Sequence, residues 1–375
     1  MDLGVFKKSR RFAVAGVLTA ALAATAFAAC GGDDDTEDAT ATTPAGGATQ
    51  AATTTTGSTK TSYPLKVKDM LGRDVEIKAK PTTIVALSPT TVEYVYAVGG
   101  TVVGRSQTAE FPEAAKQAKD IGTSYQPNAE AILALKPDLV VADSVIQSQP
   151  QLRQLVEGLG VPVLFAGAES YKQVLDGLTL VGQVLDGQEK AKAAISEIEK
   201  AKDEAKAAVS ANKASAVVLI AGRDNTLYSA KSTSYAGDLL TVVGLSNPAA
   251  NAPDSGPGFP GYTTLAQEKL LEYNPDIIFT VTPGPASVPR LSTLLPNIPP
   301  FRGLKAITGK KVYELDVPLV LEAPGPRVSL ALKQITAAVT GKAAAASPAA
   351  SASASASAAA SPSAAASASA TTASR

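Results

Sequence analysis

The chain contains no histidine and a single cysteine, Cys30, among 375 residues. Those counts leave no Ser-His or Cys-His nucleophile pair, no histidine-based metal site and no thiolate cluster. Carboxylates are the acid and base groups that remain, and Asp143, Asp224 and Asp254 are the loop aspartates around which such chemistry would be built. The stretch GPGFPG sets Gly256, Gly258 and Gly261 in GxGxxG spacing. It carries Pro257 and Pro260 and does not run from a strand into a helix, so it is read as a loop and not as a dinucleotide turn. The most pointed pattern is a repeat: EAILALKPDLVVADS, beginning at Glu130, returns as EKLLEYNPDIIFTVT, beginning at Glu268. Both copies have Leu at +3, Pro at +7, Asp at +8 and then an apolar run. A Pro-Asp turn between a helix and a buried strand is generic to α/β sheets. A glutamate in a helix's first turn can be accounted for by the macrodipole alone, worth about 0.3 to 1 kcal/mol.

The elements that must position these residues follow from hydrophobic periodicity. LKVKDMLGRDVEIKAKP alternates apolar and polar residues about Leu71, Gly72 and Arg73, which predicts a hairpin. TIVALSPTTVEYVYAVGG reads as a short strand, Ser88 as N-cap with Pro89 at the first helical position, and a helix stopped at Gly99. Short apolar runs then alternate with helical patterns, giving an α/β lobe with a largely parallel sheet over residues 63–171. Residues 172–212 read as helix broken near Asp186 and Gly187. Beyond the break Ala191, Ala194, Ile195, Ile198, Ala201, Ala205, Ala208 and Val209 form one stripe. A rod of about 36 Å results at 1.5 Å per residue, long enough to bridge two lobes. A second α/β series fills residues 213–342.

The two ends differ in kind. Residues 1–30 combine Lys7, Lys8, Arg10 and Arg11 with an apolar run and then Cys30, the pattern of an export signal. An uncleaved membrane anchor is the alternative, the run being at the lower limit for a span. Ser9, Arg10, Arg11 and Phe12 look somewhat like a twin-arginine signal. Residues 31–62 read as a disordered acidic and Thr-rich tether, and residues 343–375 as a disordered Ala/Ser-rich tail. The 34 basic and 34 acidic residues balance, which argues against nucleic acid as partner. No cofactor is called for.

Cys30 resembles the acceptor of a bacterial lipoprotein, although FAAC lacks the usual leucine. The order of DMLGRDV, LSP, IGTSYQPNAEAILALKPDLVVAD, the long helix, NPDIIF and PRVSLALKQI resembles the iron-siderophore/cobalamin class of ABC-transporter substrate-binding proteins, over residues 65–340. That resemblance implies two Rossmann-like α/β lobes joined by one long rigid helix, with a ligand cleft between them. It implies a monomer, lipid-anchored on the outer face of the cytoplasmic membrane, that hands a ferric siderophore or a corrinoid to an ABC permease dimer. Haem is the third candidate, without a histidine ligand. In the family one glutamate on each lobe docks to permease arginines, and the matching positions are Glu130 and Glu268. Loops at strand ends are where such sheets bind ligand, and they carry Ser88, Thr90, Tyr125, Gln126, Ser144, Arg223 and Tyr228. Tyr262 offers a further aromatic face, and Arg327 and Arg223 can fork onto anionic groups. Two other classes stay open: an exported α/β enzyme using carboxylates, and a wall-associated scaffolding lipoprotein whose tail is its working part.

Overall fold

A computed structural model describes residues 60–210, 213–222, 226–256 and 260–341. The export signal, Cys30, the acidic tether up to residue 59, Arg223, Asp224 and the Ala/Ser tail lie outside the described residues; at the end of the tether the Thr61 amide donates to Asp186 Oδ1. The predicted hairpin forms from β1 (Leu65–Lys68) and β2 (Asp74–Ile77), with Leu65 opposite Ile77. Gly72 takes a φ of +74° at its turn. Asp69 accepts the amides of Leu71 and Arg73, and Arg73 continues to Glu157 and lies 4.6 Å from the Phe165 ring centroid. Those contacts staple the hairpin to the first lobe.

The first lobe runs β3 (Ile84–Ala86), α1 (Pro89–Ala97), β4 (Gly104–Arg105), β5 (Lys119–Asp120) and a small hairpin of β6 (Gly122–Thr123) and β7 (Gln126–Pro127). It continues through α2 (Ala129–Ala134), β8 (Leu139–Ala142), α3 (Ser144–Gln147), α4 (Pro150–Glu157), β9 (Val163–Phe165) and α5 (Tyr171–Val184). The sheet order is β5-β4-β3-β8-β9, and every pairing is parallel. The three strands β3, β8 and β9 are buried throughout, as in a sheet covered by helices on both faces.

The chain breaks after α5 and continues as α6 (Gln188–Ser210), a rod of roughly 35 Å. Its buried residues Ala191, Ile198, Ala201, Ala205 and Val209 make the expected stripe. Beyond it lie β10 (Ala216–Ala221), β11 (Leu227–Ala230), α7 (Tyr235–Val243), β12 (Tyr262–Thr264), α8 (Gln267–Tyr273) and β13 (Ile277–Val281). The lobe closes with α9 (Leu291–Leu294), α10 (Lys305–Thr308), β14 (Val312–Glu314) and α11 (Val328–Val339). Its sheet order is β12-β11-β10-β13-β14; β10, β13 and β14 are parallel, while β11 pairs antiparallel with both β10 and β12.

Side chains alternate strictly between two cores in each sheet. In β10, Ala216, Val218 and Ile220 enter one cluster, and Val217 and Leu219 enter another. In β8, Leu139 and Val141 enter the same first cluster, and Val140 and Ala142 a third. The first cluster therefore takes the inner face of both sheets, and α6 packs between α5 on one side and α7 and α11 on the other. The two lobes share one continuous hydrophobic core. No helix among the described residues is long and apolar enough to cross a membrane.

Candidate functional site

Strand order reverses between β3 and β8 in the first lobe and between β10 and β13 in the second, which opens a crevice at the carboxyl ends of those strands. Ser88 stands directly beyond β3. Its Oγ accepts the Thr91 amide at 3.2 Å while Thr91 Oγ1 accepts the Ser88 amide at 3.1 Å, a reciprocal cap that fixes the start of α1. Beyond β8, Asp143 caps α3 by accepting the Val145 and Ile146 amides. Burial pushes its carboxyl up, against hydrogen bonds from Ser88 and those amides. Asp143 thus ties Ser88 to Ser144, which is partly exposed. Asp254 is held as well: it accepts from Lys231 Nζ at 2.7 Å and from the Gly261 amide.

The lobes meet at an ion pair that the sequence reading did not assemble. Glu93, on α1, is 3 % exposed, and Arg327, at the start of α11, donates from both Nε and Nη2 to its Oε1. Oε2 has no hydrogen-bond partner among the described residues. Gly325 closes the joint: a Cβ there would lie 3.8 Å from Glu93 Oε2 and from Thr90 Cγ2. The Arg327 guanidinium lies 4.6 Å from the centroid of the half-exposed Phe111 ring. Burial raises the Glu93 carboxyl to about 7 against the pull of Arg327. The buried hydroxyls of Tyr94 and Tyr235 adjoin the pair, and burial lifts both well above the ordinary tyrosine range. A second tie runs from the Tyr171 amide, at the start of α5, to Asp238 Oδ2 on α7 at 2.7 Å.

Of the residues singled out in sequence, Thr90 lies beside Gly325, two residues before Arg327, and Ser88 hydrogen-bonds to Asp143, the residue before Ser144. Tyr262, on β12, is partly buried; burial pushes its hydroxyl up to about 12 while Ser234, the cap of α7, hydrogen-bonds to it. Tyr228 is partly buried on the adjacent strand β11. Tyr125 and Gln126 stand outward at the turn between β6 and β7, with Tyr125 64 % exposed. Glu93 and Phe111 were missed. The one available signal was a lone charge inside TTVEYVYAV, where every neighbour on the helix is apolar, aromatic or small. Among the described residues no group of three acidic or sulfur side chains is placed to hold a metal ion.

The repeated unit divides into two parts. Lys136 and Asn274, each the residue before the proline, take positive φ of 49° and 36° to end α2 and α8. Asp138 then accepts the Thr82 and Thr83 amides, and Asp276 accepts the Ser215 amide and hydroxyl, so each aspartate holds the entry of a neighbouring central strand. Glu130 and Glu268 lie in the first turns of α2 and α8, both exposed and both without an ion-pair partner among the described residues.

Residues 84–319 match the family described as periplasmic binding protein. The chain is 26% identical over 286 residues to the uncharacterized ABC transporter substrate-binding lipoprotein YvrC of Bacillus subtilis (strain 168), covering 74% of this chain and 86% of that protein. It is 24% identical over 247 residues to the Fe(3+)-citrate-binding protein YfmC of the same strain, covering 64% of this chain and 75% of YfmC. Among solved structures, the petrobactin-binding protein YclQ of Bacillus subtilis matches with a TM-score of 0.65 at 16% identity, covering 73% of this chain and 98% of YclQ, a likeness of fold.

Proposed function

The chain belongs to the periplasmic binding protein family, and from that premise we propose that it captures a ferric siderophore outside the cytoplasmic membrane and delivers it to an ABC permease. A corrinoid is the next candidate. The observation that supports this reading is the pair of α/β lobes, each with a point where strand order reverses, bridged by Glu93 and Arg327. The names of YvrC and YfmC support the importer class and the iron chelate. Ligand contacts are proposed at Ser88, Thr90, Ser144, Tyr125, Gln126, Tyr228, Tyr262, Arg327 and Arg223. In this reading Arg327 exchanges its contact with Glu93 for an anionic group of the chelate, a charge-assisted interaction. Glu130 and Glu268 are the proposed permease contacts. Cys30 is the proposed lipid acceptor, so Cys30→Ser should move the protein from the membrane fraction to the soluble one.

Tryptophan is absent, so the ten tyrosines supply the intrinsic emission. Titration with ferric hydroxamate, catecholate and carboxylate chelates, cobalamin and haem tests the reading, with a thermal shift as second readout. Saturable quenching by a ferric chelate supports it; quenching by cobalamin alone moves the assignment to a corrinoid. No response to any member of the panel removes the siderophore and corrinoid readings together.

A further inference from the structure

Each half of the repeated unit exposes a leucine beside its glutamate. In α2, Ile132 is fully buried in the outer core of the first lobe, and its neighbour Leu133 is 46 % exposed. In α8, Leu270 is fully buried in the outer core of the second lobe, and Leu271 is 40 % exposed. The buried residue two places after the glutamate anchors the helix and fixes its rotation. The residue three places after the glutamate is then turned outward on the glutamate's own face, since positions i and i+3 are neighbours on a helix. A single exposed leucine needs no explanation. Two at the same position of a repeat, each next to an exposed carboxylate without an ion-pair partner among the described residues, form a matched pair of mixed patches, one on each lobe.

We propose that Leu133 and Leu271 are apolar anchors of the permease contact: each inserts into a recess of the permease next to the cation that receives Glu130 or Glu268. This rests on the reading of the chain as a permease-delivering binding protein. The occupant is set by the surface itself. Two equal patches fit a partner that presents two equal sites, as a two-fold symmetric membrane protein does. The unpaired carboxylates call for a cation at each site, and the leucines call for a desolvated recess beside it. Charge steers the approach and sets its rate, whereas the buried apolar anchor slows release.

The test is in-cell photo-crosslinking in the source bacterium, with p-benzoylphenylalanine placed at Leu133, at Leu271, or at Ser196 on the exposed face of α6 as control. The expected result is an adduct with the same integral membrane polypeptide from both leucine positions and none from Ser196. No adduct, an adduct from one position alone, or different partners at the two overturns the proposal. With that polypeptide in nanodiscs, Leu133→Ser with Leu271→Ser should weaken binding roughly tenfold or more, and the loss should persist at high salt. Glu130→Lys with Glu268→Lys should abolish it. If the leucine variant binds as wild type while the glutamate variant does not, the anchors fall and the docking reading stands. If both bind as wild type, both readings fall.

Discussion

Burial makes the charge of Glu93 costly to keep. Folding moves its carboxyl from an ordinary 4.5 up to about 7, with burial as the first cause and Arg327 opposing. The folded state therefore holds this proton more tightly than the unfolded one. Stability linked to Glu93 is complete below about 4.5 and declines as pH rises to about 7. Glu93→Gln cannot ionise and escapes that decline. Relative to wild type, the variant should gain on the order of 3 kcal/mol across the window, read as the difference between melting curves taken at a series of pH values. A difference that stays flat through the window would show that Arg327 keeps the carboxylate charged throughout. Burial is the physical reason for the direction, and among the described residues only one of the two carboxyl oxygens is hydrogen-bonded.

The αβ step that ends each copy of the repeat is held by its aspartate, and the bonds differ in kind from anything the glutamates make. Asp138→Ala removes the acceptor for the Thr82 and Thr83 amides, and Asp276→Ala the acceptor for the Ser215 amide and hydroxyl. Each should cost about 1 to 3 kcal/mol. The sites lie in different lobes, so the two losses should add in the double variant, as denaturant titration can measure. Helix packing predicts a sharper sensitivity at Gly177 on α5, where an added Cβ would come 2.6 Å from Tyr94 Cζ and 2.8 Å from its hydroxyl. The Tyr94 ring is fully buried and cannot swing away. Gly177→Ala should therefore destabilise by about 1 to 3 kcal/mol through overpacking; an unchanged melting temperature would show that α1 and α5 can slide apart.

Across the whole molecule, the shared core limits what ligand can do. The inner faces of both sheets and the helices α5, α6, α7 and α11 enter one cluster, so a wide opening would expose apolar surface from both lobes at once. X-ray scattering should show little compaction when ligand binds, and a large decrease in radius of gyration would mean the core divides. In the proposed reading the lobes stay nearly fixed, and a bound chelate is met by rotamer changes at Glu93, Arg327 and Phe111.

Periodicity and turn chemistry were enough to determine the local units of this protein. Ser88 and Pro89 announced α1, Gly99 ended it, the stripe from Ala191 to Val209 announced α6, and the Pro-Asp steps announced β8 and β13. These are short-range effects of caps, missing amides and amphipathic spacing, and they are written in neighbouring residues. The charged joint was not legible in that way. Nothing local distinguishes Arg327 as a cleft arginine from Arg327 as the partner of Glu93, because the two lie far apart in the chain and only lobe packing makes them touch. The same holds for the glutamates. Their spacing to the leucines was visible in sequence, but that Ile132 and Leu270 turn inward while Leu133 and Leu271 stay outside was decided by how each helix seats on its sheet.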